Sequence, residues 1–521
     1  MRKFDARWLI AGIVTVALLV VAVIINLDRT DNASTKIEGT ITTDNGDLKI
    51  NWDRYQTVDI ELSETITITE SGTYHITGRL EDGLIVVDAG VGEVRLLLDN
   101  AIIKNPSGPA IACYSAEDLV IELVGDNTLE DSQSYSADYD EDVTGVIYSK
   151  ADLTFQGEGM LTLIAHYQDG IVGKDDVKFN SGTYNITAND DGIRGKDSVY
   201  IVGGDFTIKS VADAIKSTNE TSTGKGFVLI ESGTFNIESS AKGIKAINSI
   251  LVYDGVFSIN TYDDAIHSNN YVGIMNGDIS ITAGDDGIHA DKELIIDGGK
   301  INILKSYEGI EAQAITINDG SVSIVSSDDG LNAGGGADSS ATNRRGAGTF
   351  DADTNCIITV NGGAIYINSS GDGIDSNGYL YFNGGTVIVD GPTNNGNGAL
   401  DSGAGITMSG GTVIAIGFSG MAGTLGANSS IFNASIYFAT AQQAGTTIEI
   451  KNSSGETIIS HTSAKTFNHM SVGTEKFMLG ETYTIYINDS VYQEFTISDV
   501  VTTVGNSNAN YQMTPGSQNR R

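Results

Sequence analysis

Apolar residues in this chain recur at every second position in short runs, and the runs are separated by turns rich in Gly, Asp and Asn. After Gly192 come Ile193, then Val199 and Ile201, then Phe206 and Ile208. Gly287 leads in the same way to Ile288, Leu294 and Ile296, Ile301 and Ile303, and Gly373 to Ile374, Leu380 and Phe382, Val387 and Val389. Alternation at period two predicts strands, here three to a unit. The turn Gly or Ala recurs at Gly145, Gly170, Gly192, Ala214, Gly243, Ala265, Gly287, Gly309, Gly330, Gly373 and Ala399, most often 22 residues apart, with weaker copies near Gly83 and Ala110. Three short strands cannot enclose a core alone, so each unit must stack on its neighbours. The predicted fold is therefore all-β: a right-handed parallel β-helix with three strands per coil of about 22 residues. Its most regular inward ladder is Ile171, Ile193, Ile215, Ile244, Ile266, Ile288, Ile310, Leu331, Ile374 and Leu400. A doubly wound α/β fold would need amphipathic helices between the strands, and no stretch carries that period.

The repeat defines a β-helix domain over 44–418. It fades after Ile416, and 419–500 reads as a small antiparallel hairpin domain, followed by a polar segment, 501–521, expected to be a disordered tail. At the other end, 8–27 is almost wholly apolar and follows Arg2, Lys3 and Arg7, which predicts a signal anchor over 1–28 with its positive end inside, then a linker over 29–43. Bulky residues at 21–25, where a small-x-small cleavage site would sit, favour an uncleaved anchor over a cleaved signal peptide. Either way the remainder is expected outside the cytoplasm, tethered to the membrane or, if cleaved, secreted. Cys113 and Cys356 fall on coils too far apart to be bridged.

Composition narrows the partner. With 67 acidic residues against 30 basic the formal charge is −37, which repels nucleic acid. Acidity of this size also suits a merely well-solvated surface, so position decides. Acidic pairs occupy one turn position at Asp190 and Asp191, Asp263 and Asp264, Asp285 and Asp286, and Asp328 and Asp329, with single acids at Asp169, Asp213, Glu308 and Asp372. Stacked about 4.8 Å apart, such carboxylates repel. A calcium ion, which takes six to eight oxygens in flexible geometry, resolves the conflict. Asp-Gly is equally a common turn dipeptide, so single pairs also have a purely conformational reading.

The residue two after the turn Gly forms a second column, Val172, Arg194, Lys216, Lys245, His267, His289, Glu311, Asn332, Asp375 and Asp401, grading from basic to acidic. Its acidic end gathers Asp328, Asp329, Asn332, Asp372, Asp375 and Asp401 into the best candidate metal site. His267 and His289 lack the third nitrogen or thiolate of a transition-metal site. Lys216 and Lys245 could meet sugar carboxylates or pair with aspartates. Insertions at 218–226 and 334–355 leave the coil just after this column. The second carries Arg344 and Arg345, which suit a bidentate grip on uronates. Tyr262 and Tyr307 at the acidic turns could stack on sugar rings.

The repeated Asp-Asp-Gly-Ile, followed by a small residue and Gly-Gly-x-Ile-x-Ile, resembles the clostridial carbohydrate-binding β-helix family, anchored secreted proteins that bind cellulose and polygalacturonate. The likeness spans 37–498. It implies a fold like that of family 9 pectate lyases, calcium at coil turns, and binding without lyase activity. Asp328, Asp329 and Asn332, with Asp372 and Asp375, are similar to the lyase calcium motif of two acids and a third ligand three residues on. The departure is that no lysine stands in the column near Asp375 or Asp401 to act as the base. The expected function is calcium-dependent, non-catalytic binding of acidic or cellulosic wall polysaccharide at the cell surface. The alternatives are a pectate-lyase-like enzyme with Lys216, Lys245 or Arg344 as base, and a structural adhesin or spacer. Oligomeric state is left open.

Overall fold

Each short strand lies parallel between its equivalents on the coils before and after it. Ile193–Gly195 is flanked by Asp169–Gly173 and Ile215–Ser217, Ser198–Ile201 by Asp176–Phe179 and Phe227–Ile230, and Asp205–Ser210 by Thr183–Ala188 and Thr234–Ser239. Three strands per coil are thus observed as expected. The computed structural model describes residues 50–334 and 352–506. It is an all-β solenoid of right-handed type with about 15 turns and almost no helix.

The inward ladder is continuous in register from Ile171 to Leu400. It also runs back through Ile147, Ile111 and Ile85, and every one of these side chains is at most 1% exposed. Parallel pairing places identical positions of successive units over one another, which is why a repeated Ile becomes a column. A second interior column is aromatic: Tyr184, Phe206, Phe235 and Phe257 stack ring on ring at 4.9, 5.0 and 4.6 Å. The turns before these rings need glycine. At Gly233 φ is +135°, and a Cβ there would sit 2.9 Å from the Gly204 carbonyl oxygen and 3.0 Å from the Phe235 ring.

In two coils the first two strands fuse, giving Ile288–Ile296 and Ile310–Ile317, with register shifts beside them. The parallel ladder ends where Thr412–Gly417 pairs antiparallel with Phe467–Thr474, itself antiparallel to Asn433–Gln442. Thr457–Thr462, Thr447–Asn452, Thr482–Ile487 and Ser490–Thr496 form a separate antiparallel sheet in that order, over an apolar cluster that includes Ile448, Phe467 and Tyr483. One boundary needs correction. Val501–Val504, expected within the tail, is a strand parallel to Asn433–Ile436 with Thr502 and Val504 buried. Its four β-branched residues are a short strand signal beside the long polar run at 505–521, which dominates the composition of this end of the chain.

The expected anchor at 1–28 and linker at 29–43 lie outside the described residues, among which no helix is long and apolar enough to cross a membrane. Cys113 and Cys356 are both buried and unpaired.

Candidate cation site

On six coils the acid immediately before the turn Gly or Ala has a backbone task. The Asp191 N–H donates to Asp169 Oδ1 at 3.2 Å, Asp213 N–H to Asp191 Oδ1 at 3.1 Å, and Lys242 N–H to Asp213 Oδ1 at 3.1 Å. The series resumes with Asp286 N–H to Asp264 Oδ1 at 3.0 Å, Glu308 N–H to Asp286 Oδ1 at 3.3 Å, and Asp372 N–H to Asp329 Oδ1 at 2.6 Å. One carboxylate oxygen per coil thereby satisfies a turn N–H that the strand ladder leaves over. The second oxygen decides the chemistry.

Along the N-terminal part of the column that oxygen meets a protein cation. Arg194 Nη2 lies 2.7 Å from Asp169, and Lys216 Nζ lies 2.9 Å from Asp213 and 3.3 Å from Asp191. Lys242 Nζ reaches Asp264 at 2.5 Å and Asp263 at 3.0 Å, and His267 Nδ1 lies 2.7 Å from Asp264. Burial opposes charge at Asp264, yet His267 and Lys242 hold its carboxyl well below the usual range. His289 is fully buried, with Nδ1 at 3.1 Å from Asp286 and 3.0 Å from Glu311 and Nε2 at 3.1 Å from Asp291. Burial opposes its charge too, but hydrogen bonds to these three carboxylates push the imidazole up to about 12, so it is an imidazolium at neutral pH. Asp169, Asp190 and Asp191 are close enough to share an ion, as are Asp263, Asp264 and Asp285, but each group already holds a side-chain cation. Lys242→Ala removes one of the two cations beside the buried Asp264, leaving His267, and is expected to cost about 1.5–3 kcal/mol of stability. Chemical denaturation of the variant beside the parent measures it.

At the C-terminal end the described cations stop. Among the described residues no Lys, Arg or His pairs with Glu308, Asp328, Asp329, Asp372, Asp375 or Asp401. The register brings Glu311, Asn332, Asp375 and Asp401 side by side on successive coils. Asn332 Nδ2 donates to Glu308 Oε2 at 2.7 Å, and its own Oδ1 is buried with no partner. Where earlier coils carry an acid, Gly371 leaves room: a Cβ there would lie 2.3 Å from both Asp328 Oδ1 and Asp329 Oδ1. Burial, reinforced by Asp372 and Glu308, pushes the Asp329 carboxyl up to about 9. Burial with Glu311 and Asp286 does the same to Glu308, also to about 9. Asp375 is raised to about 7 by burial with Asp372 and Asp401, and burial, with Asp401 and Asp328 beside it, raises Asp372 to about 6. Without a cation, protons must supply the missing positive charge. Carboxylates plus one orphaned amide oxygen are an all-oxygen donor set, of the kind that suits a hard cation such as calcium and lacks the thiolate or imidazole usual at zinc.

A family model described as carbohydrate-binding domain-containing protein matches residues 63–330, just over half of the chain. The chain belongs to that family. A curated carbohydrate-binding domain-containing protein of Acetivibrio thermocellus is 34% identical over 145 residues, 27% of this chain and 50% of that protein. This chain therefore spans about half the length of the curated relative it matches. A solved structure described as a polysaccharide lyase-like protein from C. thermocellum, a gadolinium derivative, is 30% identical, with a TM-score of 0.39 over 48% of this chain and 99% of that one. The region matched by the carbohydrate-binding family contains the column up to Asp328 and Asp329; Asn332, Asp372, Asp375 and Asp401 lie beyond it.

The other expected contacts fare unevenly. Lys216 and Lys245 both pair with Asp213, at 2.9 and 4.0 Å, the aspartate pairing that their column allowed beside contact with sugar carboxylates. Tyr262 is 82% exposed. Tyr307 instead turns onto the site, where a hydrogen bond to Asp328, with burial, raises its hydroxyl. Arg344 and Arg345 lie outside the described residues. The insertion at 218–226 is tied back by Lys225, which pairs with Asp197 and lies 3.4 Å from Asp175. Glu308 and Glu311 enter the sequence pattern only as column members. The signal that marks them out is that both acid-bearing columns are acidic on the same coil with no Lys or Arg there.

Proposed function

We propose that this member of the carbohydrate-binding domain family binds acidic or cellulosic cell-wall polysaccharide of the polygalacturonate type without cleaving it, through calcium held at the acidic end of the column. The apolar stretch at 8–27 supports a tethered position at the cell surface. The observation that carries the reading is the run Glu308, Asp328, Asp329, Asp372, Asp375 and Asp401 with no protein cation among the described residues, beside the orphaned Asn332 oxygen. Calcium bound there would keep open coordination positions for a uronate carboxylate. In affinity electrophoresis through polygalacturonate the protein is expected to be retarded with calcium and to run freely with chelator. Equal mobility in both would remove the reading.

A lyase would need a base beside the metal, and among the described residues the acidic end has carboxylates in that place. Incubation with pectate and calcium is accordingly expected to give no rise in ultraviolet absorbance from an unsaturated uronide. A spacer role would leave calcium stabilising the protein while no glycan is retained.

The same groups set a pH dependence. The folded-state pKa values of Glu308 and Asp329, about 9, lie above those of an unfolded carboxylate, so the folded, metal-free protein binds more protons than the unfolded chain. Their contribution to stability is fully present below about pH 4 and is lost as pH rises towards 9. Calcium replaces those protons. The calcium-induced increase in melting temperature is therefore expected to grow from acid to alkaline pH, as scanning calorimetry with calcium and with chelator would show.

A further inference from the structure

Beyond Asp401, the last acid of the column, a cavity of about 330 Å³ opens, lined by Asp401, Ser402, Gly405, Thr424 and Asn428. Its size is at the lower end of small-molecule sites and suits one or two sugar rings. Gly405 is part of its lining: φ is +133°, a conformation that favours glycine, and the space beside it is open, a Cβ there meeting nothing within 4 Å. Across the strand ladder Gly405 is the register partner of Tyr379, and Thr407 that of Tyr381. Leu380 and Phe382 point into the core, fully buried, so Tyr379 and Tyr381 face outward, where they are half-buried and stacked with ring centroids 5.8 Å apart and planes 23° from parallel.

Neighbouring coils do not repeat the pair. The register partners of Tyr379 and Tyr381 on the preceding coil are Ile357 and Thr359, and one coil further back Ala314 and Thr316. Tyr271 in an earlier coil has Gly273 as its outward companion. The coil with two outward aromatic rings is also the coil that carries Asp372 and Asp375, and Ile374–Ser376 leads directly into Tyr379–Phe382. Two separate features that suit sugar recognition, outward aromatic rings on one coil and a cavity lined by polar side chains on the next, thus lie beside the acidic cluster.

We infer that Tyr379, Tyr381 and the Asp401 cavity form a pyranose subsite that takes a sugar residue of an acidic glycan strand next to the one held through calcium. This rests on the calcium-dependent binding proposed above and specifies where the sugar rings lie. The weakly polarised C–H face of a pyranose packs on the electron-rich ring faces of the tyrosines. Its hydroxyls meet Asp401, Ser402, Thr424 and Asn428 in the cavity.

The test uses the full-length chain with Tyr379→Ala and Tyr381→Ala combined, and reads calcium affinity by calorimetry and affinity for oligogalacturonate in calcium. The expected result is a loss of oligogalacturonate affinity of about tenfold or more with calcium affinity unchanged. The Tyr379→Phe, Tyr381→Phe variant, which keeps the ring faces, should retain most of the binding. Unchanged oligogalacturonate affinity in the alanine variant would overturn the subsite while leaving calcium-dependent binding standing. A parent chain that binds no oligogalacturonate would overturn both. Independently of any variant's folding, saturating oligogalacturonate should protect Tyr379 and Tyr381 of the parent from acetylation by N-acetylimidazole. Equal labelling of a parent that does bind the glycan would also overturn the subsite.

Discussion

Asp329→Asn combined with Asp372→Asn is expected to abolish both the calcium-induced rise in melting temperature and calcium-dependent retention on polygalacturonate, with the chelated protein still folded. Asparagine keeps the oxygen that accepts the Asp372 N–H at Asp329, and the one that accepts the Gly398 N–H at Asp372, so the turn ladder survives. Two negative charges at the centre of the donor set are lost. Calcium affinity follows ligand charge, and a fall of at least about a hundredfold is expected. In chelator the variant should be as stable as the parent or more so, because two crowded buried carboxyls have gone. The control is Asp263→Asn with Asp264→Asn. There Lys242 and His267 already do the work of a cation, so the calcium response should persist while stability falls. Loss of the calcium response in the control, and not in the Asp329 and Asp372 variant, would put the ion at the wrong end of the column.

Ile288→Asp is expected to unfold the coils around it. Ile288 is fully buried, in register between Ile266 and Ile310. Removing its side chain forfeits about 1.5–3 kcal/mol of burial, and the carboxylate put in its place has no counter-ion, which adds several kcal/mol. Because each coil touches only its neighbours, the damage should be local. Hydrogen exchange is expected to lose protection over 266–317 and to keep it in the antiparallel sheet at 447–496. Thr207→Asp, on an exposed outward position of a strand, should change stability by no more than about 0.5 kcal/mol. Uniform loss of protection in Ile288→Asp, or equal damage from Thr207→Asp, would contradict the stacked-coil account.

The ladder and the basic-to-acidic column were legible in the sequence for one reason: at a constant repeat, parallel stacking turns sequence position into spatial position. Residues one repeat apart become neighbours, so Ile266 over Ile288, 22 residues on, and Asp375 beside Asp401, one longer coil on, could be read directly. The division of labour within each acidic pair was not legible. That Asp264 accepts the Asp286 N–H depends on which side of the turn the carboxylate swings to, which backbone geometry fixes. Nor did spacing reveal that Lys242 reaches forward to Asp263 and Asp264, because it stands in the acid's own position on its coil and breaks the repeat. Tyr379 and Tyr381 do not stand out in the sequence because the core pattern draws attention to Leu380 and Phe382 between and after them. The strand at Val501–Val504 is hidden for a different reason: a four-residue β-branched run gains a partner only from Asn433–Ile436, far away in sequence.

The central claim is that protons and calcium compete for the carboxylates at the end of the column. Isothermal titration of calcium into the chelator-treated chain at pH 7, repeated in two buffers of different ionisation enthalpy, addresses it most directly. Glu308 and Asp329, raised to about 9, hold their protons at that pH, so calcium binding should release protons. A heat of binding that depends on the buffer is the expected result. No saturable heat with calcium, or binding that releases no proton, would contradict it.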